Sequence, residues 1–385
     1  MSVLFTFLGR PPRGDRSYQR VEYTFSDGRK TRPVHFLGWE LQSITRPARV
    51  VVLGTQGSAW DHLLESDIRL GDDGEAERLA VIEAVERSAV SQSMLDRLAP
   101  LLSDELGRDV RLLIVPYCRT LTEQAALLRH FADHVDEGDL IDIDVTHGFR
   151  SMPMLGLLAA LFLRRVRRGQ MEHIWYGELG PGQGQGTVQD LVGLLSFADW
   201  LDALAVFDHT ADYGVFARLT GPSGEWLESA AFFERTTNAT QARQKLTTWA
   251  NRPDRYPSND PAVNLFRDTL DQRLSWRSAT NRADWEAKLA SSALEVGDYL
   301  RAAIFGLEST VTREVLAVGR SPEDFAAREE AGKLARSHYP GVRELAGIRN
   351  ALAHGTRDRK LARTLDSPEN LHGALQKLLA QVLDN

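Results

Sequence analysis

Along the first half of the chain, short apolar runs alternate with longer stretches whose apolar positions recur every three to four residues. Residues 3–8, Val-Leu-Phe-Thr-Phe-Leu, predict a strand that stops at Gly9-Arg10-Pro11-Pro12. Residues 20–25 alternate and turn at Asp27-Gly28, which predicts a hairpin. Continuous apolar runs at 50–53, 110–115 and 140–145 predict three more strands, and Ile174-Trp175-Tyr176 precedes a glycine-rich stretch at 177–186. Helical spacing separates them over 75–87, 91–102, 122–134 and 153–166. Uninterrupted apolar strands joined by helices imply a parallel sheet covered on both faces.

Beyond residue 190 the period changes. Helical patterns cover 197–207, 225–249, 261–274, 284–305, 311–317, 322–335, 342–352 and 367–383, punctuated by Gly221-Pro222, Arg252-Pro253, Tyr256-Pro257 and Tyr339-Pro340. The expected architecture is an α/β Rossmann-like parallel sheet domain followed by an all-α helical domain. The boundaries expected are 1–190 for the sheet domain, 191–220 for a helical connector and 221–385 for the helical domain. The tract Gly-Pro-Gly-Gln-Gly-Gln-Gly at 180–186 predicts a mobile hairpin loop.

Charge alters this picture only when it is divided. The 385 residues carry 46 Lys and Arg against 53 Asp and Glu, net -7, which excludes a polybasic coat for nucleic acid. Residues 1–220 hold 23 basic against 31 acidic side chains, and residues 221–385 hold 23 against 22. The acidity therefore lies in the sheet half. A single cysteine, Cys118, excludes an internal disulfide framework and a cysteine zinc cluster. No basic start with an apolar core opens the chain, and its longest apolar run, 152–163, is too short to span a bilayer, so a cytoplasmic protein is expected without membrane contact.

In an open parallel sheet, ligands bind beyond the carboxyl ends of strands, where glycine and small polar residues let backbone amides approach. Three strand ends carry such residues: Gly9-Arg10, Gly54-Thr55-Gln56-Gly57-Ser58, and Thr146-His147-Gly148-Phe149-Arg150. The last precedes Pro153 at a helix start, where open amides and Arg150 would seat a phosphate. Neither the dinucleotide glycine fingerprint nor the P-loop is present, which weighs against a nucleotide-binding oxidoreductase. Tight βα turns alone would also explain the single glycines.

Gly54-Thr55-x-x-Ser58-x-Trp60 after an apolar strand, with Asp144-x-Thr146-His147-Gly148-Phe149-Arg150, resembles the CRISPR-associated Rossmann-fold (CARF) sensor domains over about residues 1–180. The group with a Thr-His-Gly-Phe-Arg motif, found among ancillary type III CRISPR proteins, is the most similar. The resemblance implies a homodimer that binds cyclic oligoadenylate across a twofold axis, the tetra-adenylate cA4 first and the hexa-adenylate cA6 as the alternative. Gly9, Arg10, Gly54, Thr55, Gln56, Ser58, Thr146, His147, Gly148 and Arg150 would then line the ligand site.

A second constellation, Arg349-Asn350-Ala351-Leu352-Ala353-His354, ends an amphipathic helix and sits in a basic run. Residues 343, 349, 357, 359, 360 and 363 are Lys or Arg, against Glu344 and Asp358, and such a patch holds a polyanion even on an acidic protein. Arg349 and His354 lie about 140° apart on a helix, whereas Asn350 and His354 share a face. The arrangement resembles the HEPN ribonuclease motif, in which two protomers bring their motifs together at an interface. The resemblance implies metal-independent cleavage of single-stranded RNA: the 2′-hydroxyl attacks the adjacent phosphate, His354 acts as acid or base, Arg349 stabilises the phosphate charge, and Asn350 orients the histidine or the phosphate. The plain alternative pairs Arg349 with an acid such as Glu344 and leaves His354 to end the helix.

The whole resemblance implies a cyclic-oligoadenylate-activated ribonuclease of type III CRISPR antiviral defence, a homodimer or a higher oligomer, with no catalytic cofactor. Its rivals are a sensor that cleaves its own cyclic ligand and a non-catalytic regulatory dimer. Lesser features read more plainly. Arg164, Arg165, Arg167 and Arg168 complement a helix end, and Cys118 fills a small space. His130 and His134 lack a third metal ligand, and Trp200, Trp226, Trp249, Trp276 and Trp285 are spaced as core.

Overall fold

The computed structural model describes the chain except residues 11–18, 65–67, 69, 72–73, 149–150, 181–183, 258–259, 356–358 and 384–385. It divides into two compact units, Met1–Leu195 and Ser196–Asn385.

The first unit is built on strands β1 (Ser2–Leu8), β2 (Glu22–Phe25), β3 (Arg49–Gly54), β4 (Asp109–Ile114), β5 (Leu140–Asp144), β6 (Gln170–Leu179) and β7 (Gln185–Asp190). Their order across the sheet is β2-β7-β6-β5-β1-β3-β4. β1 lies between β3 and β5, and all pairs from β4 to β6 are parallel. Alternation along β1 shows why this strand is apolar throughout. Val3, Phe5 and Phe7 enter one core with Val51, Leu53, Ile141 and Ile143. Leu4 and Leu8 enter the opposite core with Val50, Val52, Val110 and Leu112. Helices α1 (Leu37–Thr45), α2 (Glu75–Glu86) and α3 (Gln92–Leu106) contribute to the second core, and α4 (Leu121–Ala132) and α5 (Met152–Phe162) to the first.

Two elements depart from the pattern read in the sequence. The turn at Gly28 forms, with φ at +84° and Phe25 N–H bonded to Arg29 O, but β2 finds its strand partner elsewhere, parallel to β7. The glycine-rich stretch is a hairpin of β6 and β7, which are antiparallel from Leu179–Gly186 to Trp175–Asp190. Gly186 is required there, since a Cβ would stand 2.7 Å from Glu178 O and 2.8 Å from the Tyr23 ring. Residues 181–183 of the 180–186 tract lie outside the described residues.

The second unit consists of α6 (Leu194–Thr210), α7 (Gly224–Arg235), α8 (Ala239–Ala250), α9 (Val263–Arg273), α10 (Arg282–Glu295), α11 (Tyr299–Ala317), α12 (Phe325–His338), α13 (Pro340–His354) and α14 (Pro368–Leu383). The segment expected as a connector is α6 plus a 3₁₀ turn at Tyr213–Leu219, and Trp200, Tyr213 and Phe216 join the helical core. The pattern at 225–249 is two helices, broken at Thr237, where φ is +62°. Conversely α11 runs through 305–311. There Ser309 Oγ donates to Ala283 O at 2.7 Å and Thr310 Oγ1 to Gly306 O at 2.9 Å, so both buried hydroxyls are satisfied inside a helix. The true break is at Gly297, φ +77°, between α10 and α11. Trp200, Trp249 and Trp276 are buried, while Trp226 and Trp285 are half-buried under Lys245 and Arg243. No helix among the described residues is long and apolar enough to cross a membrane.

Candidate functional site

The three glycine-bearing strand ends of the first unit become neighbours, because β1 pairs with β3 on one side and β5 on the other. From β1 the sheet extends through β3 and β4 on one side and through β5 and β6 on the other, so the order reverses here, at the switch point where open α/β sheets bind ligands. Backbones approach closely: a Cβ on Gly9 would stand 3.0 Å from Gly148 Cα, and one on Gly148 would stand 3.0 Å from Met152 Cβ. Gly54 leaves room for Trp60, whose ring a Cβ would meet at 2.6 Å.

Most of the polar side chains expected at this site are turned inward. Ser58 Oγ donates to Leu8 O at 2.6 Å and accepts from Thr55 N–H at 2.9 Å, and Ala59 N–H reaches Gly9 O at 2.9 Å. Trp60 Nε1 bonds to Thr55 O at 2.9 Å. Thr55 and Ser58 are fully buried, so their hydroxyls lace the β1 and β3 ends together. Thr146 Oγ1 accepts from Gly177 N–H at 2.8 Å, tying the β5 loop to β6. His147 Nε2 accepts from Leu37 N–H at 3.1 Å, tying the same loop to the start of α1. Burial first, and the charge of His62 second, lowers the His147 pKa to about 3, so the imidazole is neutral and suited to accept. Gln56 and Gly148 face solvent, and Arg150 lies outside the described residues.

Asp144, within the motif but not among the expected contacts, is the hub of this lacing. Its carboxylate is wholly buried and accepts from Thr6 Oγ1 at 2.7 Å and Thr146 N–H at 2.9 Å. Burial raises its pKa, while the bonds from Thr146 and Thr6 act the other way. An acid two residues ahead of a loop, opposite a threonine on the central strand, was the available sequence signal. Arg10 is exposed as expected, and it donates through Nε to Gly57 O and through Nη2 to Ser88 Oγ. A fourth strand end, after β4, also reaches this edge: Val115 N–H bonds to Gly54 O at 2.8 Å, and Tyr117 and Arg119 follow. Sequence reasoning passed over it because the stretch has no glycine.

In the second unit, α13 starts at Pro340 and ends at Gly355, whose φ of +65° caps it directly after His354. Val342, Leu345 and Ile348 are buried, and Gly306 of α11 admits the Leu345 and Leu379 side chains. Arg349, next to this apolar stripe, is half-buried, and its Nε is buried without a hydrogen-bond partner. Among the described residues it forms no ion pair, with Glu344 or any other acid. Asn350 and His354 share the exposed face. One chain therefore presents the three groups on one helix without bringing Arg349 to His354. Arg343, Arg359, Lys360 and Arg363 of the basic run are exposed, while Arg357 and Asp358 lie outside the described residues.

Other candidates fall to structural roles. His134 Nδ1 bonds to His130 O, and no group of three His, Cys, Asp or Glu among the described residues is placed to hold a metal ion. Arg167 donates to Ala132 O and Arg168 pairs with Glu137.

Residues 3–177 match the family model described as the CARF domain of the CRISPR system endoribonuclease Csx1. This stretch is a CARF domain of the kind found in CRISPR-associated proteins. Over 216 residues it is 24% identical to the CRISPR-associated protein MJ1674 of Methanocaldococcus jannaschii, covering 50% of this chain and 33% of that protein. The chain thus spans about a third of the length of this curated relative. A solved structure of Enterococcus italicus Csm6 bound to cyclic hexa-2′-fluoro-hexa-dAMP aligns over 99% of this chain and 94% of its own, at 12% identity and a TM-score of 0.34. The CARF match covers all three glycine-bearing strand ends and Asp144.

Proposed function

We propose that this protein is a cyclic-oligoadenylate-activated, metal-independent endoribonuclease of type III CRISPR antiviral defence. The observation that carries the proposal is the meeting of the β1, β3 and β5 ends at the switch point of a CARF sheet, lined by backbone amides and Arg10. A cyclic oligoadenylate, cA4 or cA6, is a ring of phosphates and bases that such an edge suits. The exposed Gly148, just ahead of the start of α5, favours phosphate.

A symmetric ring asks for a symmetric receptor, and α5 supports one. Its sequence is apolar all round, residues 151–163 carry no charge, and Met154 and Leu158 remain 76% and 48% exposed. A helix apolar on every side is normally covered, and two uncharged faces meet without repulsion. Pairing through α5 sets two 146–148 loops side by side, one from each protomer.

RNA cleavage is assigned to α13. In this scheme the 2′-hydroxyl oxygen attacks the adjacent phosphorus, the bond to the 5′-oxygen breaks, and the products are a 2′,3′-cyclic phosphate and a 5′-hydroxyl. His354 takes the 2′ proton, and the partner's copy of the same histidine returns one to the leaving oxygen. Arg349, with no carboxylate paired to it among the described residues, stabilises the phosphorane charge, and Asn350 orients the histidine or the phosphate. Ligand binding raises activity only as far as the ring prefers the cutting arrangement.

The test is single-stranded RNA cleavage with cA4 and cA6 in turn, in EDTA, for wild type and His354→Ala. Cleavage that needs a ring, survives EDTA and vanishes in the variant is the expected result. Undiminished cutting by His354→Ala removes α13 as the site. Consumption of the ring without RNA cleavage points to a ring-cleaving sensor, and neither activity to a regulatory dimer.

A further inference from the structure

The end of β4 carries a feature that neither the motif nor the family match assigns. Tyr117 is 39% exposed, and the Arg119 guanidinium lies over its ring, 4.8 Å from the centroid. Between them Cys118 adopts φ +57°, a conformation that non-glycine residues rarely take. In a regular helix residues two apart face different ways, and in a regular strand they share a face about 6–7 Å apart. With the left-handed step at Cys118 between them, the side chains at 117 and 119 meet more closely than that. The Cys118 side chain is buried, which holds the kink in place.

This pair stands at the strand-end cleft. The space beside Gly57 Cα is enclosed from two sides: a Cβ there would be 2.8 Å from the Tyr117 hydroxyl and 3.0 Å from an Arg10 guanidinium nitrogen. The guanidinium groups of Arg10 and Arg119 form no ion pair among the described residues, the Glu123 carboxylate meeting Arg119 at its backbone N–H instead, whereas Arg49, Arg78, Arg97 and Arg111 of the same unit are each paired with an acid. Two guanidinium groups outside any such pair, an exposed ring and a glycine-floored gap form a compact set for a planar, anionic group. Aromatic and guanidinium planes both stack on nucleobases, and guanidinium also binds phosphate.

We infer that Tyr117 and Arg119 form a base-stacking clip on the β4 side of the cleft, holding one purine while Arg10 meets its phosphate. The inference rests on the cleft being the oligoadenylate site, and it names how a base is gripped there. Thr55, Ser58, Thr146 and His147 are committed to internal bonds, so stacking on a base falls to this side chain pair, with Gln56 the other exposed polar side chain of the cleft.

The probe is cyclic tetra-adenylate with one adenine replaced by 2-aminopurine, whose emission is quenched on stacking, titrated against the full chain alongside cyclic hexa-adenylate. Tyr117→Ala is expected to weaken binding about 5- to 150-fold and abolish the quench, while Tyr117→Phe keeps both. Arg119→Ala should weaken binding and flatten its salt dependence. Because Tyr117 is partly exposed, the thermal midpoint of each variant should match wild type. Wild-type affinity and quench in Tyr117→Ala overturn the clip and leave the cleft standing. Failure of wild-type protein to bind either ring overturns the cleft assignment itself, and the clip with it.

Discussion

The strand-end cleft of the first unit and the Arg349–His354 helix of the second hold their polar groups in opposite ways. In the cleft, Thr55, Ser58, Asp144, Thr146 and His147 are spent on one another and on the backbone, leaving glycines, Gln56 and a few cations to face outward. The shape is fixed before any ligand arrives, which limits the entropy lost on binding. On α13 the reverse holds. Asn350 and His354 are exposed, Arg349 has an unbonded Nε, and no internal network fixes their relation. The first region is finished within one chain, while under the proposed function the second would be completed by a second chain. A rigid cleft suits discrimination between ligands, and a site left open within one chain suits activity that begins only on assembly.

Each difference can be broken by substitution, beginning with the largest effect. His354→Ala should reduce ring-stimulated RNA cleavage by ~10²–10⁴-fold, with cyclic tetra-adenylate affinity unchanged by calorimetry. Loss of both together would mean the two regions are not separate. Asp144→Ala strands the Thr6 hydroxyl and the Thr146 amide, both buried or half-buried, and should cost ~1–3 kcal/mol. Hydrogen exchange should report this as lost protection in β1 and β5, with α13 unaffected.

His147 gives a smaller, pH-dependent contrast. In the fold it stays neutral down to about pH 3, whereas in the unfolded chain it takes up a proton at about pH 6.5. Over that window the unfolded state binds more protons, so its contribution is full above about pH 6.5 and falls as pH drops. At pH 5 the loss is about 2 kcal/mol. His147→Gln should remove this loss from a comparison of denaturant midpoints at pH 7 and 5. A wild-type slope in the variant would show that other groups are responsible. Ser58→Ala removes two laces, the bond to Leu8 O and the one from Thr55 N–H, and should cost about 1–2 kcal/mol in the same measurement.

How much of this was legible in the sequence follows from where water is. β1, β3 and β5 are buried on both faces, so they read as largely apolar runs, with Thr6 in β1 and Asp142 and Asp144 in β5 as the polar exceptions. β7, Gln-Gly-Thr-Val-Gln-Asp, lies between β2 and β6 with four of its six residues exposed and glycine where Tyr23 presses close, and it read as loop. The 9-residue helix α1 was missed because Leu37-Gly38-Trp39 looks like neither period. The segments bearing the cleft were visible because glycines mark close backbone approach, as Gly9 and Gly148 confirm. The direction of each side chain was not. Thr55, Ser58 and His147 have the chemistry of ligand contacts, and only the placement of Leu8 O and Leu37 N–H shows that the protein uses them internally. On α13 the spacing alone already implied that Arg349 and His354 point apart.

The central place of β1 has a consequence for how the chain is made. Of the seven strands β1 is made first yet lies inside the sheet, between β3 and β5, and Thr6 meets Asp144 only 138 residues later. At roughly 5–20 residues per second, the nascent β1 waits about 7–28 seconds for its second neighbour. During that interval a largely apolar strand has one edge open, the condition under which chains pair with the wrong partner. Synthesis speed between β1 and β5, more than final stability, should therefore govern the yield of folded protein.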